Sequence, residues 1–196
     1  MINLVFVTGN QKKVDEVKAI LGNNFNVIKF DIDVPEIQST DVKEVIQAKI
    51  EIAYTQAKMS FGDNINIICE DTGLYFENMN SFPGALIKFY FKALGLEGIA
   101  KHNGGSKATA QTVIGLKTAK GKLHFFEGET KGKVVKLKNL KKIEGFGWDA
   151  IFIPKYNDEM KSKYKNMSYA EIPVDVKNKI SQRYKAFYKL AKYFEK

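Results

Sequence analysis

Two acidic side chains, those of Glu70 and Asp71, directly follow a short, mostly apolar run, and Glu36 comes after a proline earlier in the chain. Successive side chains on an extended chain point to opposite sides, so one of the pair can face a cleft while the other turns away. Carboxylates without histidine or cysteine neighbours suit a hard cation, Mg²⁺ above all, that is shared with substrate phosphates. The competing interpretation is that these acids are solvated and cap loops.

A second group, Thr8, Gly9 and Asn10 followed by Lys12 and Lys13, lies where a first strand is expected to meet a first helix. Backbone N–H groups and the positive end of a helix converge there, which favours an anion. The segment lacks the glycine and lysine spacing of a P-loop and the three-glycine spacing of a dinucleotide fold. It indicates a phosphate site, with an ordinary strand-to-helix turn as the alternative.

The only tryptophan, Trp148, stands between Gly147 and Asp149, and Phe146 comes just before them. Glycine permits close approach, so an aromatic face beside a carboxylate could hold a flat polar ring such as a nucleobase. The alternative is a tight turn with a core tryptophan. No Ser-His-Asp or Cys-His pattern stands out, so covalent catalysis is not indicated.

Hydrophobic periodicity predicts strands that alternate with helices in the first third of the chain, and these elements must hold the acids. The predicted elements are a strand over residues 2–8, a helix over 11–21, a strand over 26–32, a helix capped by Asp41 and ending near 59, and a strand over 65–69. Such alternation is typical of a layered α/β fold. It places Glu70 and Asp71 at the end of a strand, a usual position for active-site groups.

The rest of the chain changes character after Phe82-Pro83-Gly84. We expect helices over residues 85–94 and 95–102, a long antiparallel hairpin over 108–118 and 122–137, a strand buried on both faces over 150–153, a surface loop over 155–166 and a final helix over 174–194. No repeat or break in composition marks a second domain, so residues 1–196 are predicted to form one domain.

The composition limits the classes of function. Lys and Arg number 31 against 22 Asp and Glu, a formal net charge of +9, which favours anionic partners such as nucleotides, nucleic acid or membrane headgroups. The single cysteine, Cys69, excludes an internal disulfide and a cysteine-rich zinc site. Without a signal peptide or a membrane-length apolar run, we expect a cytoplasmic protein.

Seven short motifs occur in a fixed order. They are T-G-N-x-x-K over residues 8–13, V-P-E over 34–36, E-D-T-G-L over 70–74, F-P-G-A-x-I-K over 82–88, F-G-W-D over 146–149, Y-A-E over 169–171 and K-N-x-x-S-x-R over 177–183. Together they closely resemble the inosine triphosphate pyrophosphatase family, also called the Ham1 family, over essentially the whole chain. The resemblance implies an elongated, two-lobed α/β fold around a long mixed β-sheet, a homodimer, and Mg²⁺-dependent hydrolysis of ITP, dITP or XTP to the monophosphate and pyrophosphate.

The resemblance also implies roles for single residues. Glu36 and Asp71 would hold the metal, and Asp71 or Glu70 would position or deprotonate the attacking water. Phe146 would stack on the base, while Trp148 and Asp149 would shape its pocket and contact the sugar. The other residues implied to bind substrate are Thr8, Gly9, Asn10, Lys12, Lys13, Lys49, Thr72, Lys88, Gly147, Lys177, Gln182 and Arg183.

One position departs from the family. Gln182 stands where the family usually has histidine, and a glutamine amide can donate to a 6-oxo group without titrating near neutral pH. Arg183 is expected to help distinguish that acceptor from the amino group of ATP. Three rivals stay open: a related Maf-type pyrophosphatase of modified pyrimidine triphosphates, a basic nucleic-acid-binding module and a catalytically silent nucleotide sensor. The acids argue against the last two, and we expect neither a membrane nor a specific nucleic acid as partner.

Overall fold

A computed structural model of the protein describes residues 1–141, 143 and 147–195, and a mixed β-sheet forms its centre. Seven strands belong to this sheet in the described residues, in the order β2-β1-β3-β5-β6-β7, with β4 paired to β3. The strands are β1 (Ile2–Val7), β2 (Phe25–Phe30), β3 (Asn66–Phe76), β4 (Pro83–Gly84), β5 (Lys107–Lys117), β6 (Leu123–Val134) and β7 (Phe152–Pro154). The expected α/β fold around a long mixed sheet is confirmed.

Helices cover both faces of the sheet. In the described residues they are α1 (Gln11–Leu21), α2 (Val42–Phe61), α3 (Ile87–Asn103), α4 (Asp158–Tyr164), α5 (Val174–Ile180) and α6 (Gln182–Phe194). Helices α1 and α6 share one apolar core with β1, and α2 packs on the opposite face in a second core. A third core joins α3 to the far halves of β3 and β5. No helix in this part of the chain combines the length and apolar character needed to cross a membrane.

Strand β3 changes its partners along its length, and this change creates the site. Its first residues pair in parallel with β1, which ends at Val7, and its last residues pair with β4 at Leu74 and Tyr75. Between these two pairings, residues 69–73 have no strand beside them on that edge within the described residues. On the other edge, β5 pairs with β3 from Ile67 to Phe76. Glu70 and Asp71 therefore lie on the open edge of a continuing strand.

The prediction that a strand ends at residue 69 is thus wrong. Polar residues 70–72 remain extended because β5 supplies them with backbone partners, Ile114, Val113 and Thr112. Asp71 is partly exposed beside this edge because β1 stops there and not because β3 ends, whereas Glu70 is buried. Their alternation across the strand is retained, so Glu70 and Asp71 point to opposite faces of the sheet.

Other boundaries were predicted with mixed success. Helix α1 has the predicted bounds, and Asp41 caps α2 by accepting from the Lys43 N–H at 2.7 Å. The two helices expected after residue 85 are confirmed, because α3 consists of two helical stretches that meet at a kink, where Gly95 has a non-helical φ of 63° and ψ of 179°. The prediction of one helix over residues 174–194 is wrong, because Ser181 adopts an extended conformation that ends α5 and caps the start of α6.

Two predictions near β7 also need correction. The strand expected over residues 150–153 begins only at Phe152, because residues 149–151 form a single 3-10 turn. The backbone N–H of Phe152 closes this turn by donating to Asp149 O. The segment expected to be a surface loop contains α4, which Asn157 caps by accepting from the Met160 N–H at 2.9 Å.

Candidate active site

The turn between β1 and α1 is held by two side-chain hydrogen bonds to backbone N–H groups. Asn10 caps α1 by accepting from the Lys13 N–H at 3.3 Å, and Thr8 Oγ1 accepts from the Asn10 N–H at 3.1 Å. A Cβ at Gly9 would lie 2.9 Å from a carboxylate oxygen of Asp31, an exposed side chain that would have to move away. The turn presents the positive end of α1 beside the open edge of β3.

On the α2 face of the sheet, Glu36 and Lys49 form an ion pair with 2.5 Å between Nζ and Oε1. Burial alone would raise the pKa of Glu36, but Lys49, with smaller effects from Lys88 and Lys13, lowers the pKa below its usual value. Burial would likewise lower the pKa of Lys49, which Glu36 and, more weakly, Asp71 raise instead. Glu36 and Lys49 are thus in direct contact, and Asp71 lies within electrostatic range of both.

Asp71 is the least compensated acid of this group. Burial raises the pKa of its carboxyl group, Lys13 opposes the rise, and the charges of Glu70 and Glu36 add to it. In the described residues Asp71 has no ion-pair partner, in contrast to Glu36 and Glu70. A partly buried carboxylate that has no ion-pair partner and lies near a second carboxylate is suited to bind a cation.

The donor set fits a metal that takes part of its coordination from elsewhere. Among the described residues no three His, Cys, Asp or Glu side chains form a complete metal cluster. Two carboxylates, those of Glu36 and Asp71, suit Mg²⁺, which usually keeps several waters and adds substrate phosphates to one or two protein carboxylates. They would not suit a structural zinc ion, which takes nitrogen and sulfur ligands.

On the opposite face, Glu70 lies fully buried between cations. Its Oε2 is 2.9 Å from Lys13 Nζ, and its Oε1 accepts from Arg183 Nε and NH2 at 3.3 and 3.2 Å. The Thr72 hydroxyl, which also contacts Thr112, donates to Oε1 at 2.7 Å. Burial alone would raise the pKa of Glu70, but Arg183 and Lys13 outweigh it and lower the pKa to about 2. Glu70 is therefore ionised near neutral pH and orders Lys13 and Arg183.

Glu16 joins this network and was not anticipated from the sequence. Its Oε2 accepts from Arg183 NH1 at 2.5 Å, so the buried guanidinium bridges two carboxylates from different elements. Burial alone would lower the pKa of Arg183, but Glu70 and Glu16 outweigh this effect and raise the pKa above its usual value. The available signal was spacing: Glu16 follows Lys13 by three residues and so shares its face of α1.

The residues expected around a base lie on this same face. Lys177 Nζ is 2.6 Å from Asp149 Oδ2, and both side chains are buried. Burial raises the pKa of Asp149, and Lys177 opposes the rise. The Tyr169 hydroxyl donates to Gln182 Oε1 at 3.2 Å, an assignment that directs the amide NH2 away from Tyr169. Gln182 therefore has a defined orientation, as a specificity residue requires.

The remaining predicted residues are less constrained. Lys12 and Lys88 are exposed, and Lys88 acts electrostatically on Glu36. Trp148 is partly buried against Phe152, with ring centroids 5.6 Å apart, and the preceding Gly147 has a φ of 57°, which favours glycine. Phe146, predicted to stack on the base, lies outside the described residues.

The sequence matches a family model, described as the Ham1 family, over residues 4–193. The inosine triphosphate pyrophosphatase of Kluyveromyces lactis is 39% identical over 198 residues, which cover 97% of this chain and 94% of that protein. The inosine triphosphate pyrophosphatase of Saccharomyces cerevisiae is 37% identical over 200 residues, covering 97% and 94%. A dITP/XTP pyrophosphatase of Methanopyrus kandleri is 33% identical over 198 residues, covering 99% and 97%.

Solved structures agree with the fold. The Ham1 protein of Staphylococcus aureus superimposes with a TM-score of 0.69 at 24% identity and covers 98% of both chains. A HAM1 protein of Coxiella burnetii has a TM-score of 0.69 at 21% identity and covers 100% of this chain and 99% of that one. At these identities the likeness concerns the fold alone.

Proposed function

This chain belongs to the Ham1 family, and we propose that it is a nucleoside triphosphate pyrophosphatase that converts ITP, dITP or XTP to the monophosphate and pyrophosphate. The relatives named above as pyrophosphatases of these nucleotides match it over nearly its full length. The observation that best supports the reaction is the open edge of β3, where Asp71 and Glu36 lie beside Lys13 and Lys49.

Phosphate binding falls to the turn after β1 and to the lysines around it. The backbone of Thr8, Gly9 and Asn10 faces the triphosphate at the positive end of α1. The lysines that neutralise its charge are Lys12, Lys13, Lys49, Lys88 and Lys177. Because Lys13, Lys49 and Lys177 each pair with a carboxylate, they are held in place before substrate arrives. Lys13 and Lys177 therefore need little rearrangement on binding, whereas Lys49 would turn from Glu36 toward the triphosphate when the metal binds.

Glu36 and Asp71 would hold Mg²⁺, which when bound would offset the charge that develops on the phosphoryl oxygens and make its water more acidic. Of the two adjacent acids, Asp71 is the one that positions the attacking water. It lacks an ion-pair partner in the described residues and is only partly buried, whereas Glu70 is enclosed by Lys13 and Arg183. Glu70 contributes by fixing Lys13, and Thr72 contributes by fixing Glu70.

Selectivity for the base is assigned to Gln182 first and Arg183 second. The Gln182 amide, oriented by Tyr169, donates to the 6-oxo group of hypoxanthine or xanthine and would face an amino donor on adenine. Arg183 supports this pocket from its bridge between Glu16 and Glu70. Phe146 would stack on the base, with Gly147 and Trp148 shaping the pocket and Asp149 near the sugar.

We place the protein in the cytoplasm as a homodimer. Its one thiol, Cys69, is buried, and burial raises its pKa to about 12, so it stays inert in a reducing compartment. Ile37, Phe82 and Phe89 are large apolar side chains that are 49%, 39% and 56% exposed, and their burial against a second copy of the chain would stabilise a dimer. Light scattering after gel filtration would give twice the chain mass for a dimer, and the chain mass alone would contradict it.

The substrate class is tested by measuring pyrophosphate release from ITP, XTP, GTP, ATP and TTP, with Mg²⁺ and with EDTA. The proposal predicts the fastest release from ITP or XTP and none in EDTA. Faster release from a pyrimidine triphosphate would instead indicate a Maf-type enzyme. Binding without turnover would indicate a nucleotide sensor.

A further inference from the structure

A second charged surface lies away from the candidate active site. A cavity of about 810 Å³ is open on the sheet face where β3, β5, β6 and β7 run side by side, and it shares no residue with that site. Six lysines and one glutamate contribute to its lining: Lys107, Lys131, Lys133, Lys155, Lys161, Lys165 and Glu77. We call it the lysine groove.

The strands place four of these lysines in a compact array. Lys107 on β5 is directly opposite Lys133 on β6. Lys131 lies two residues before Lys133 on the same face, and Lys155 N donates to Lys131 O at 2.7 Å, which sets Lys155 beside it. Ala108 and Val134, which follow Lys107 and Lys133 in the sequence, point into the core on the other face. Four ammonium groups therefore project from neighbouring positions into one groove.

Folding alone gives no reason for this array. Like charges directly opposite each other on antiparallel strands destabilise the sheet. Farther along the same face, the facing pair is Gln111 and Glu129, which form a hydrogen bond of 3.3 Å. The strands thus carry a hydrogen-bonded pair at Gln111 and Glu129, but two positively charged side chains face each other at Lys107 and Lys133.

Local acids compensate only part of this charge. Lys107 reaches Glu77 at 3.4 Å, and Lys161 pairs with Asp158. Over residues 1–141, 143 and 147–195, neither Lys131, Lys133 nor Lys155 forms an ion pair, and Lys133 instead donates to Asn166 at 3.0 Å. The groove therefore retains a strong attraction for a polyanion.

The positive surface is longer than one cavity. A second cavity of about 750 Å³ shares Lys133 and Lys165 with the groove and adds Lys136, Lys138 and Lys141. Its one acid, Glu171, already pairs with Lys141 at 2.6 Å. A ligand with phosphates at regular intervals could contact lysines along both cavities, whereas a single phosphate would use few of them.

We propose that the lysine groove binds single-stranded nucleic acid without sequence preference. Lysine ammonium groups are point charges that suit phosphates along a backbone and do not read base edges. Between the lysines, the partly exposed side chains of Tyr75 and Ile153 offer an aromatic and an apolar surface on which bases can rest. The acids that argue against a nucleic-acid-binding module, Glu36, Glu70 and Asp71, lie at the other site and do not oppose a strand here.

The experiment is fluorescence anisotropy with a labelled oligothymidylate of about 12 nucleotides, titrated with the full chain at several salt concentrations from about 50 to 200 mM. Contacts from Lys107, Lys131, Lys133 and Lys155 to phosphates predict a slope of log K against log salt of about −3. A mixed-sequence strand should bind within a few-fold of the oligothymidylate.

Two matched triple variants separate the groove from general charge. The variant that combines Lys131→Gln, Lys133→Gln and Lys155→Gln should bind the oligothymidylate at least about tenfold more weakly than the parent. Its slope of log K against log salt should be smaller in magnitude by about 2. The Lys18→Gln, Lys101→Gln and Lys120→Gln variant removes the same charge at exposed positions outside the groove and should bind nearly as the parent does. ITP turnover should persist in both, which reports intact folding.

Three results would overturn the proposal. One is no binding by the parent protein at the lowest salt concentration. Another is equal weakening in the two triple variants, which would reduce the effect to net charge. The third is displacement of the strand by inorganic polyphosphate or duplex DNA as readily, per phosphate, as by unlabelled single strand, which would remove the assignment to single-stranded nucleic acid.

Discussion

The ammonium group of Lys49 lies 2.5 Å from a carboxylate oxygen of Glu36. The residue proposed to bind phosphate and one of the residues proposed to bind metal are therefore partners in this structure. Metal binding at Glu36 would release Lys49 toward the triphosphate, so metal and substrate should strengthen each other's binding. Calorimetry with a non-hydrolysable ITP analogue should show tighter binding with Mg²⁺ than without it, and equal affinities would contradict this coupling.

The Glu36→Gln variant tests the proposed role of Glu36 as a metal ligand. Loss of one of two carboxylates should raise the Mg²⁺ concentration for half-maximal turnover by about tenfold or more, since hard cations favour charged oxygen ligands. The measurement is a Mg²⁺ titration of pyrophosphate release. Glu97→Gln, at an exposed acid on α3, is the matched control and should leave the titration unchanged.

Asp71→Asn should lower turnover by about a thousandfold, the scale of losing a group that positions or deprotonates a nucleophile. Burial raises the pKa of Asp71, so the neutral amide should not harm folding and the melting temperature should be maintained. Asp63→Asn, at an exposed acid after α2, serves as control. Turnover of Asp71→Asn within a few-fold of the parent would remove the residue from the mechanism.

Arg183→Ala should destabilise the fold by about 3–5 kcal/mol, because the buried carboxylates of Glu16 and Glu70 would lose their shared cation. Urea unfolding gives the free energy. If the arginine also reads the base, the remaining activity should show a narrower preference for ITP over ATP. A stability within about 1 kcal/mol of the parent would mean that the guanidinium bridge is not formed in solution.

Glu70 should make the stability depend on acid pH. Its pKa is lowered to about 2 in the folded chain from an ordinary value of 4.5. Its contribution, on the order of 3 kcal/mol, is therefore complete above about pH 4.5 and is lost as the pH falls toward 2. Urea unfolding of the parent and of Glu70→Gln should give free energies that converge as the pH falls through this range. A constant difference would contradict the assigned shift.

Gln182 should give selectivity that does not vary with pH. The ratio of turnover for ITP and ATP should stay level from about pH 6 to 8, because the amide does not titrate, and should fall by about tenfold in Gln182→Ala. Tyr169→Phe removes only the hydroxyl that orients the amide and should cause a smaller loss. Gln182→His should introduce a pH dependence. An unchanged ratio in Gln182→Ala would exclude base reading by this residue.

Local signals in the sequence predicted much of this arrangement. Asp41 caps its helix as expected, and the alternation of Glu70 and Asp71 across the strand is retained in the structure. The setting of the acids was not predictable, since it depends on β1 ending at Val7 while β5 continues beside β3. Periodicity describes single elements and does not report where a neighbouring strand stops.

Contacts between residues that are distant in the sequence could not be predicted either. Glu16 and Arg183 are 167 positions apart, and only the packing of α6 against α1 brings them together. Ser181 could have been recognised as a helix cap, because its side chain accepts from the Tyr184 N–H, but a continuous apolar stripe hid the break. The opposed lysines of the groove required the β5 and β6 register, which composition does not contain.

The most direct test of the central claim is ³¹P NMR of ITP hydrolysis in ¹⁸O-enriched water with Mg²⁺. Attack at the α phosphorus predicts inosine monophosphate and pyrophosphate as the products, with the isotope shift on the monophosphate resonance. Orthophosphate and inosine diphosphate would contradict the account by placing the cut at the terminal phosphate. A shift on pyrophosphate would contradict it by placing the attack at the β phosphorus.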